Sequence, residues 1–388
     1  MFRSNAFDWR TITALNAVST LSQIGQFGIG FVVLPVWLAN QGLDAAQLGV
    51  FAAALWLGQV PGLAIAPIAC KRWGPRWVVV AGLLCSLAAM PWLALMPWPW
   101  QPLGGILCGF GMGLRWIGVE PWLYHIAPDT ARGRLVGFHE TLIAIAPIAA
   151  PMLGNIYGLE GHTVLWIGGI FCVASLLPLM LAKGGNASTV PQAGHHTPSH
   201  ALAALKETVF RQGLVIALLG GMMEAAVSGL FAVFAQDRGV TPIASTGLLA
   251  IFGMGGLLLQ YPMGWLADHH GMGRAATASA AGVAVAALTL LWPLNYFGMQ
   301  IAVFFLGGFI TAFLTLALIA STLAQAGSMA RNVSTVSMVY TASAVAGPLI
   351  ASAAIQTLGS GALMGFTALA ACAMAALLSL RTVSGRID

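Results

Sequence analysis

Apolar runs alternate with short polar turns along the whole chain. Each run is long enough to cross a hydrocarbon core of roughly 30 Å, which takes about 20 helical residues. The pattern predicts twelve membrane helices, at Ile12–Trp37, Leu48–Ala69, Trp77–Pro97, Leu103–Ile126, Leu135–Tyr157, His162–Ala182, Val209–Gln236, Ser245–Ala267, Ala275–Pro293, Met299–Leu323, Val333–Thr357 and Ala362–Leu380. One polar stretch, Lys183–His200 (KGGNASTVPQAGHHTPSH), falls between the sixth and seventh runs and has the Gly, Ser, Thr and Pro content of a flexible linker. The expected organisation is an all-α membrane protein with a six-helix half over 1–182, a linker over 183–207 and a second six-helix half over 208–388.

Composition removes the soluble alternative. Hydrophobic residues make up 59% of the chain and charged residues 7%, against about 45–50% and 25% in soluble domains. The net charge of +5 is a topology signal, because Lys and Arg are retained on the cytoplasmic side of short loops. With a cytoplasmic N-terminus, every basic residue except Arg115 and Arg238 falls on that side. Both termini are therefore expected in the cytoplasm, with the protein in the inner cell membrane. No basic groove or aromatic-basic module suggests a nucleic acid partner. The first apolar run is longer than a signal-peptide core and follows Arg3, Asp8 and Arg10, so it is expected to remain as a membrane helix. Cys70, Cys85, Cys108, Cys172 and Cys372 are scattered without metal or disulfide spacing and read as small packing residues; no cofactor is expected.

An internal repeat accompanies the linker. The loop after the second helix, Pro67-Ile-Ala-Cys-Lys71-Arg72-Trp-Gly74-Pro-Arg76, corresponds to Gly264-Trp-Leu-Ala-Asp268-His-His-Gly271-Met-Gly-Arg274 after the eighth. In the fifth helix, Gly137, Ala146, Ala150-Pro151 and Gly154 correspond to Ser334, Ser343, Gly347-Pro348 and Ala351 in the eleventh. Gly74 and Gly271, Pro151 and Pro348, and Arg134 and Arg331 are all 197 positions apart. A shared register across two loops and a helix indicates duplication.

These features resemble the major facilitator superfamily, across the whole chain. The resemblance rests on the two halves, the central linker and the loop motif G-x-L-A-D-x-x-G-x-x-R at Gly264–Arg274. Val119-Glu120-Pro121-Trp122-Leu123 followed by Arg132-Gly133-Arg134 is similar to the YcaD-like bacterial branch. The resemblance implies alternating access, with helices one, four, seven and ten lining a central cavity. It also implies a gating latch at Gly264, Asp268, Gly271 and Arg274. The first copy of the latch is degenerate at Lys71, Arg72 and Gly74, with Pro67 for the first Gly and Lys71 for the acid. The fifth-helix series resembles a motif of proton-coupled antiporters, with Ala at two Gly positions and Asn155 at the last, and so favours export. Close packing of helix backbones explains the same small residues equally well; Pro147 and Pro151 are sites where the fifth helix can bend, and Pro151 and its repeat Pro348 are candidate gating positions.

Ionisable side chains within membrane helices are costly and usually face a cavity or a partner. Arg115, Glu120, Glu140 and Glu224 qualify, whereas His125 and His139 lie nearer a helix end and are expected to reach water. Asn16, Ser19, Gln23 and Gln26 share one face of the first helix; Thr311, Thr315 and Thr322 share one of the tenth; Glu224 and Ser228 lie one turn apart on the seventh. Arg115 and Glu224 are candidates for opposed charges from the two halves, either exchanging their ion pair for substrate and proton contacts or holding the halves together statically. Glu120 and Glu140 lie at similar depth on neighbouring helices and could share a proton; alternatively they form a cytoplasmic gate with Lys71, Arg132 or Arg134. Trp116 is a candidate cavity-lining aromatic, and the linker histidines His195, His196 and His200 read as solvated.

The functional expectation is a secondary active transporter of a small organic solute, proton-coupled and monomeric in the bilayer, with export ahead of import of an anionic solute. No P-loop supplies nucleotide energy, and no H-E-x-x-H or G-x-S-x-G motif suggests an intramembrane enzyme. A non-transporting receptor or scaffold of the same fold is the remaining alternative.

Overall fold

The computed structural model describes residues 8–126, 132–186, 204–325 and 329–384. Among the described residues, twelve helices are long and apolar enough to cross a membrane. They are α1 (Trp9–Asn40), α2 (Ala45–Trp73), α3 (Pro75–Leu95), α4 (Gln101–Ile126), α5 (Leu135–Tyr157), α6 (Thr163–Leu181), α7 (Thr208–Asp237), α8 (Pro242–His270), α9 (Met272–Leu290), α10 (Tyr296–Leu323), α11 (Arg331–Leu358) and α12 (Ala362–Ser379). Several exceed their apolar runs: α2 continues through Lys71 and Arg72, whose charges sit where a helix end leaves carbonyls unpaired. Residues 187–203 of the linker lie outside the described residues.

Two helices are irregular for identifiable reasons. The Ile24–Val33 part of α1 is π-helical and carries Gly25, Gly28 and Gly30. In α5, regular helix stops at Ile143 and resumes at Ala146. Pro147 lies just beyond this break; its ring offers no N–H and clashes with the carbonyl four residues earlier.

The 197-residue register holds at the level of backbone geometry. Gly74 (φ 91°, ψ 149°) and Gly271 (φ 89°, ψ 149°) close α2 and α8 in one conformation, each donating its N–H to the carbonyl four residues back, of Cys70 and Ala267. The turns after α1 and α7 also match: Gly42 and Gly239 have positive φ, Leu43 N–H donates to Leu38 and Val240 N–H to Ala235, and Asp44 and Thr241 cap the following helices. These turns were not part of the sequence comparison and repeat it independently.

Within the first half, α4 packs against α2 and α3, and α1 against α6; within the second, α10 packs against α8 and α9, and α11 against α7. The halves meet mainly through α2 with α11 and α5 with α8. These contacts lie at the end opposite the termini. A Cβ on Gly49 would come within 2.8 Å of the Pro348 carbonyl, and one on Gly229 within 2.5 Å of the Ala52 Cβ. Thr246 of α8 donates its hydroxyl hydrogen bond to Asn155 of α5. At the terminal end, Trp9–Gln23 of α1 packs on α4, α5 and α6 of its own half, without comparable packing on the second half. The bundle is sealed at one end, and its halves diverge toward the other.

Candidate functional site

Polar side chains form one group in each half, below the sealed end. In the first, Arg115 of α4 is 1% exposed. Its Nε donates to Gln26 Oε1 at 2.9 Å and its Nη2 to Gln23 Oε1. Gln26 in turn donates to Ser86 Oγ of α3 at 2.8 Å. A buried guanidinium needs acceptors for its fixed fork of donors, and two amide oxygens supply part of them, with Glu120 close enough to act on the charge. The π-helical stretch places Gln26 in this network, consistent with the tendency of such bulges to occur at functional positions.

One turn toward the terminal end lies a second cluster. Asn16 of α1 donates through Nδ2 to the Ile12 carbonyl at 2.9 Å, and its Oδ1 lies 3.0 Å from His139 Nδ1. His139 is fully buried, so it does not reach water as expected from its position near a helix end. Its Nε2 is 4.0 Å from Glu120 Oε1. Tyr124 stacks edge-on against the His139 ring and donates its hydroxyl to Glu140 Oε1 at 3.2 Å. Glu120 and Glu140 are near enough to interact electrostatically, and Glu120 also lies within the field of Arg115.

In the second half, Tyr340 of α11 donates its hydroxyl to Glu224 Oε2. Arg115 and Glu224 thus have separate partners in this conformation: amides for the arginine and a phenol for the carboxylate. The direct ion pair expected between them is absent among the described residues, because each is satisfied within its own half. Ser228 and Thr311 bond to carbonyls of their own helices, Glu224 and Gly307, which leaves their hydroxyl protons engaged. Thr315 instead accepts from Gln260 Nε2 of α8 at 2.6 Å. Trp116 is half-buried and packs at the edge of the main core.

The latch residues are open. Asp268 and Arg274 are exposed, and among the described residues Asp268 forms no hydrogen bond or ion pair. Gly264 has no neighbour within reach of an added Cβ, and Gly271 makes the turn. Lys71 and Arg72 are also exposed, with Arg72 over the Trp73 ring; Gly74 repeats the Gly271 turn. Lys71 does not pair with Glu120 or Glu140. Arg76 instead tethers this loop, through its side chain to the Ala182 carbonyl and over the Trp122 ring. The side chains of Arg132 and Arg134 lie outside the described residues. Pro151 and Pro348 are buried in α5 and α11 on the two seams between the halves.

Tyr124, Gln260, Tyr340 and the Asn155–Thr246 contact are not marked as site residues by the sequence, and His139 reads there as a residue reaching water. Gln260 and Tyr340 lie on α8 and α11, outside the helices expected to line the cavity, and Tyr124 looks like an interfacial tyrosine. The adjacency of His139 to Glu140 was the available signal.

A model of the Major Facilitator Superfamily matches residues 15–348. Among curated relatives, an "Uncharacterized MFS-type transporter YcaD" of Escherichia coli (strain SE11) is 26% identical over 241 residues. An "Uncharacterized MFS-type transporter" of Yersinia pestis (strain Pestoides F) is 24% identical over 251 residues. In each case the match covers 62% of this chain and the chain spans 62% of the relative's length. Among solved structures, the nucleoside transporter NupG superposes with a TM-score of 0.75 at 12% identity, covering 96% of this chain and 98% of that one. A D-xylose-proton symporter superposes with a TM-score of 0.73 at 14% identity, covering 95% and 97%. At such identities the likeness is one of fold.

Proposed function

This chain belongs to the Major Facilitator Superfamily of membrane transporters, and we propose that it moves a small organic solute by alternating access, coupled to protons and favouring export. The observation that carries the reading is the asymmetric closure of the bundle: seams between the halves at one end, divergence at the other, and a polar cluster in each half between them. If both termini are cytoplasmic in an inner membrane, as the distribution of Lys and Arg supports, this is an inward-facing conformation. The exposed Asp268 then belongs to a latch released in this state and engaged in the opposite one. Residues 183–207 act as the tether between the halves.

Glu120, Glu140 and Glu224 are the candidate proton carriers, because carboxyl groups beside a phenol, a histidine or another carboxylate can exchange a proton without large rearrangement. Arg115 positions Gln23 and Gln26. Its enclosure by these amides disfavours direct capture of an anionic solute in this conformation.

The reading is tested on purified protein by a thermal-shift screen for stabilising solutes, followed by pH-gradient-driven flux of a hit in proteoliposomes. Neutralising the relevant glutamate is expected to reduce gradient-driven flux at least tenfold. Flux unaffected by Glu120→Gln, Glu140→Gln and Glu224→Gln would remove the coupling proposal. Cysteines introduced at Gln23 and Thr315 should alternate in accessibility from the two sides during turnover; fixed accessibility would favour a scaffold.

A further inference from the structure

We propose that His139 is the proton-accepting partner of Glu120, held in a single tautomer by Asn16. This deepens the proton-coupled reading above and rests on it. Asn16 can present either its oxygen or its amide to the ring, and the Ile12 carbonyl decides which. That carbonyl accepts from Asn16 Nδ2 at 2.9 Å, so the oxygen Oδ1 is left facing His139 Nδ1 at 3.0 Å. The opposite orientation would set two oxygens against each other. Two acceptors cannot share a bond without a proton, so Nδ1 carries the hydrogen and Nε2 is left with its lone pair.

Nε2 is buried and has no hydrogen-bond partner among the described residues, a rare and costly state for a ring nitrogen. The neighbour it faces is Glu120 Oε1, 4.0 Å away. That gap exceeds a hydrogen bond by about 1 Å, within reach of a carboxylate rotation or a single bridging water. Among the described residues, the charged and titratable groups around the ring are Glu120, Tyr124 and Arg115 from α4 and Glu140 from α5 itself, while α1 contributes the neutral Asn16. The transfer balances without another reactant. The Glu120 O–H bond breaks, an Nε2–H bond forms, and a neutral acid and neutral imidazole become a carboxylate and an imidazolium. Reversal returns the proton to Glu120. Asn16 is a positioning residue, and His139 and Glu120 are the proton-binding pair.

The test uses the full-length protein in lipid nanodiscs with ¹⁵N-labelled histidine, and needs neither substrate nor flux. The His139 signal is identified by its protection from solvent exchange and its loss in His139→Gln. In alkaline buffer the expected ring is the Nδ1–H tautomer, and stepwise acidification protonates Nε2. In Glu120→Gln the tautomer is retained and the pH response is lost, because the carboxylate facing Nε2 is gone while Arg115 still disfavours a second cation. An Nε2–H tautomer in the wild-type protein overturns the proposal even if no variant folds, and so does an unchanged pH response in Glu120→Gln. Proton-driven flux accompanied by an unresponsive ring would sink the His139 assignment alone. A responsive ring with flux indifferent to protons would overturn the coupling reading, and the transport role of His139 with it.

Discussion

Arg115 shows how a charge is held in the bundle by amides as well as by a distant carboxylate. Its Nε and Nη2 donate to Gln26 and Gln23, so part of the cost of removing it comes from the acceptors left behind in a buried site. Arg115→Ala is expected to lower the stability of the purified protein by about 1–3 kcal/mol, the usual cost of stranding buried polar groups. Arg115→Lys should be destabilising too, because a point-like ammonium cannot reproduce the planar fork. Thermal unfolding of the two variants in one detergent checks both, and a wild-type midpoint in Arg115→Ala would contradict the network. At this scale the sequence was partly legible. The face shared by Gln23 and Gln26 follows from helical spacing alone, and Arg115 stands out as an intramembrane charge. Partner choice was not legible: whether Arg115 meets a glutamate across the cleft or two amides in its own half depends on how α1 and α4 approach, which no spacing within either helix specifies. For the same reason His139 looked like a residue near water, until Asn16 and Tyr124 were brought against it.

At the scale of helices and turns the repeat carries most of the information. Gly74 and Gly271 both have φ near 90° with ψ 149°, a region essentially reserved for glycine. Gly74→Ala and Gly271→Ala should each cost about 1–3 kcal/mol, with similar shifts in unfolding temperature because the two turns share one geometry. Markedly unequal shifts would mean that one turn is relieved by its surroundings. The apolar runs located the helices well because hydrocarbon demands the same length of every span. They missed the π-helical stretch of α1 and the break in α5, which arise from glycine approaches and a proline clash rather than from hydropathy. Pro147 made the bend in α5 legible, though not its location between Ile143 and Ala146. The degenerate first latch was readable as a loss of its acid; its replacement by an Arg76 tether to the end of α6 was not, since that contact joins residues far apart in sequence.

Over the whole molecule, the seams at the closed end define what must separate for the opposite side to open. Gly229 and Ala52 approach too closely for a relaxed disulfide, since a Cβ on Gly229 would lie 2.5 Å from the Ala52 Cβ against the ~3.8 Å such a bond spans, so a cysteine pair here closes once the two backbones part by about 1 Å. Cross-linking Gly229→Cys to Ala52→Cys, in a background lacking the five native cysteines, is expected to abolish turnover, with reduction restoring it. Unimpaired turnover after complete cross-linking would show that this seam need not part. The composition of that seal has a further consequence. Its glycines approach Ala52, Ser352, Pro348 and Pro147, and Thr246 bonds the neutral Asn155, with no ion pair among the described residues that form it. Dissolved electrolytes weaken attraction between charges and leave dispersion contacts nearly untouched. The seams should therefore hold equally in dilute and saline surroundings, and ionic strength acts on the protein through exposed charges at both ends, Asp44 at the sealed end and Asp268 and Arg274 near the opening among them.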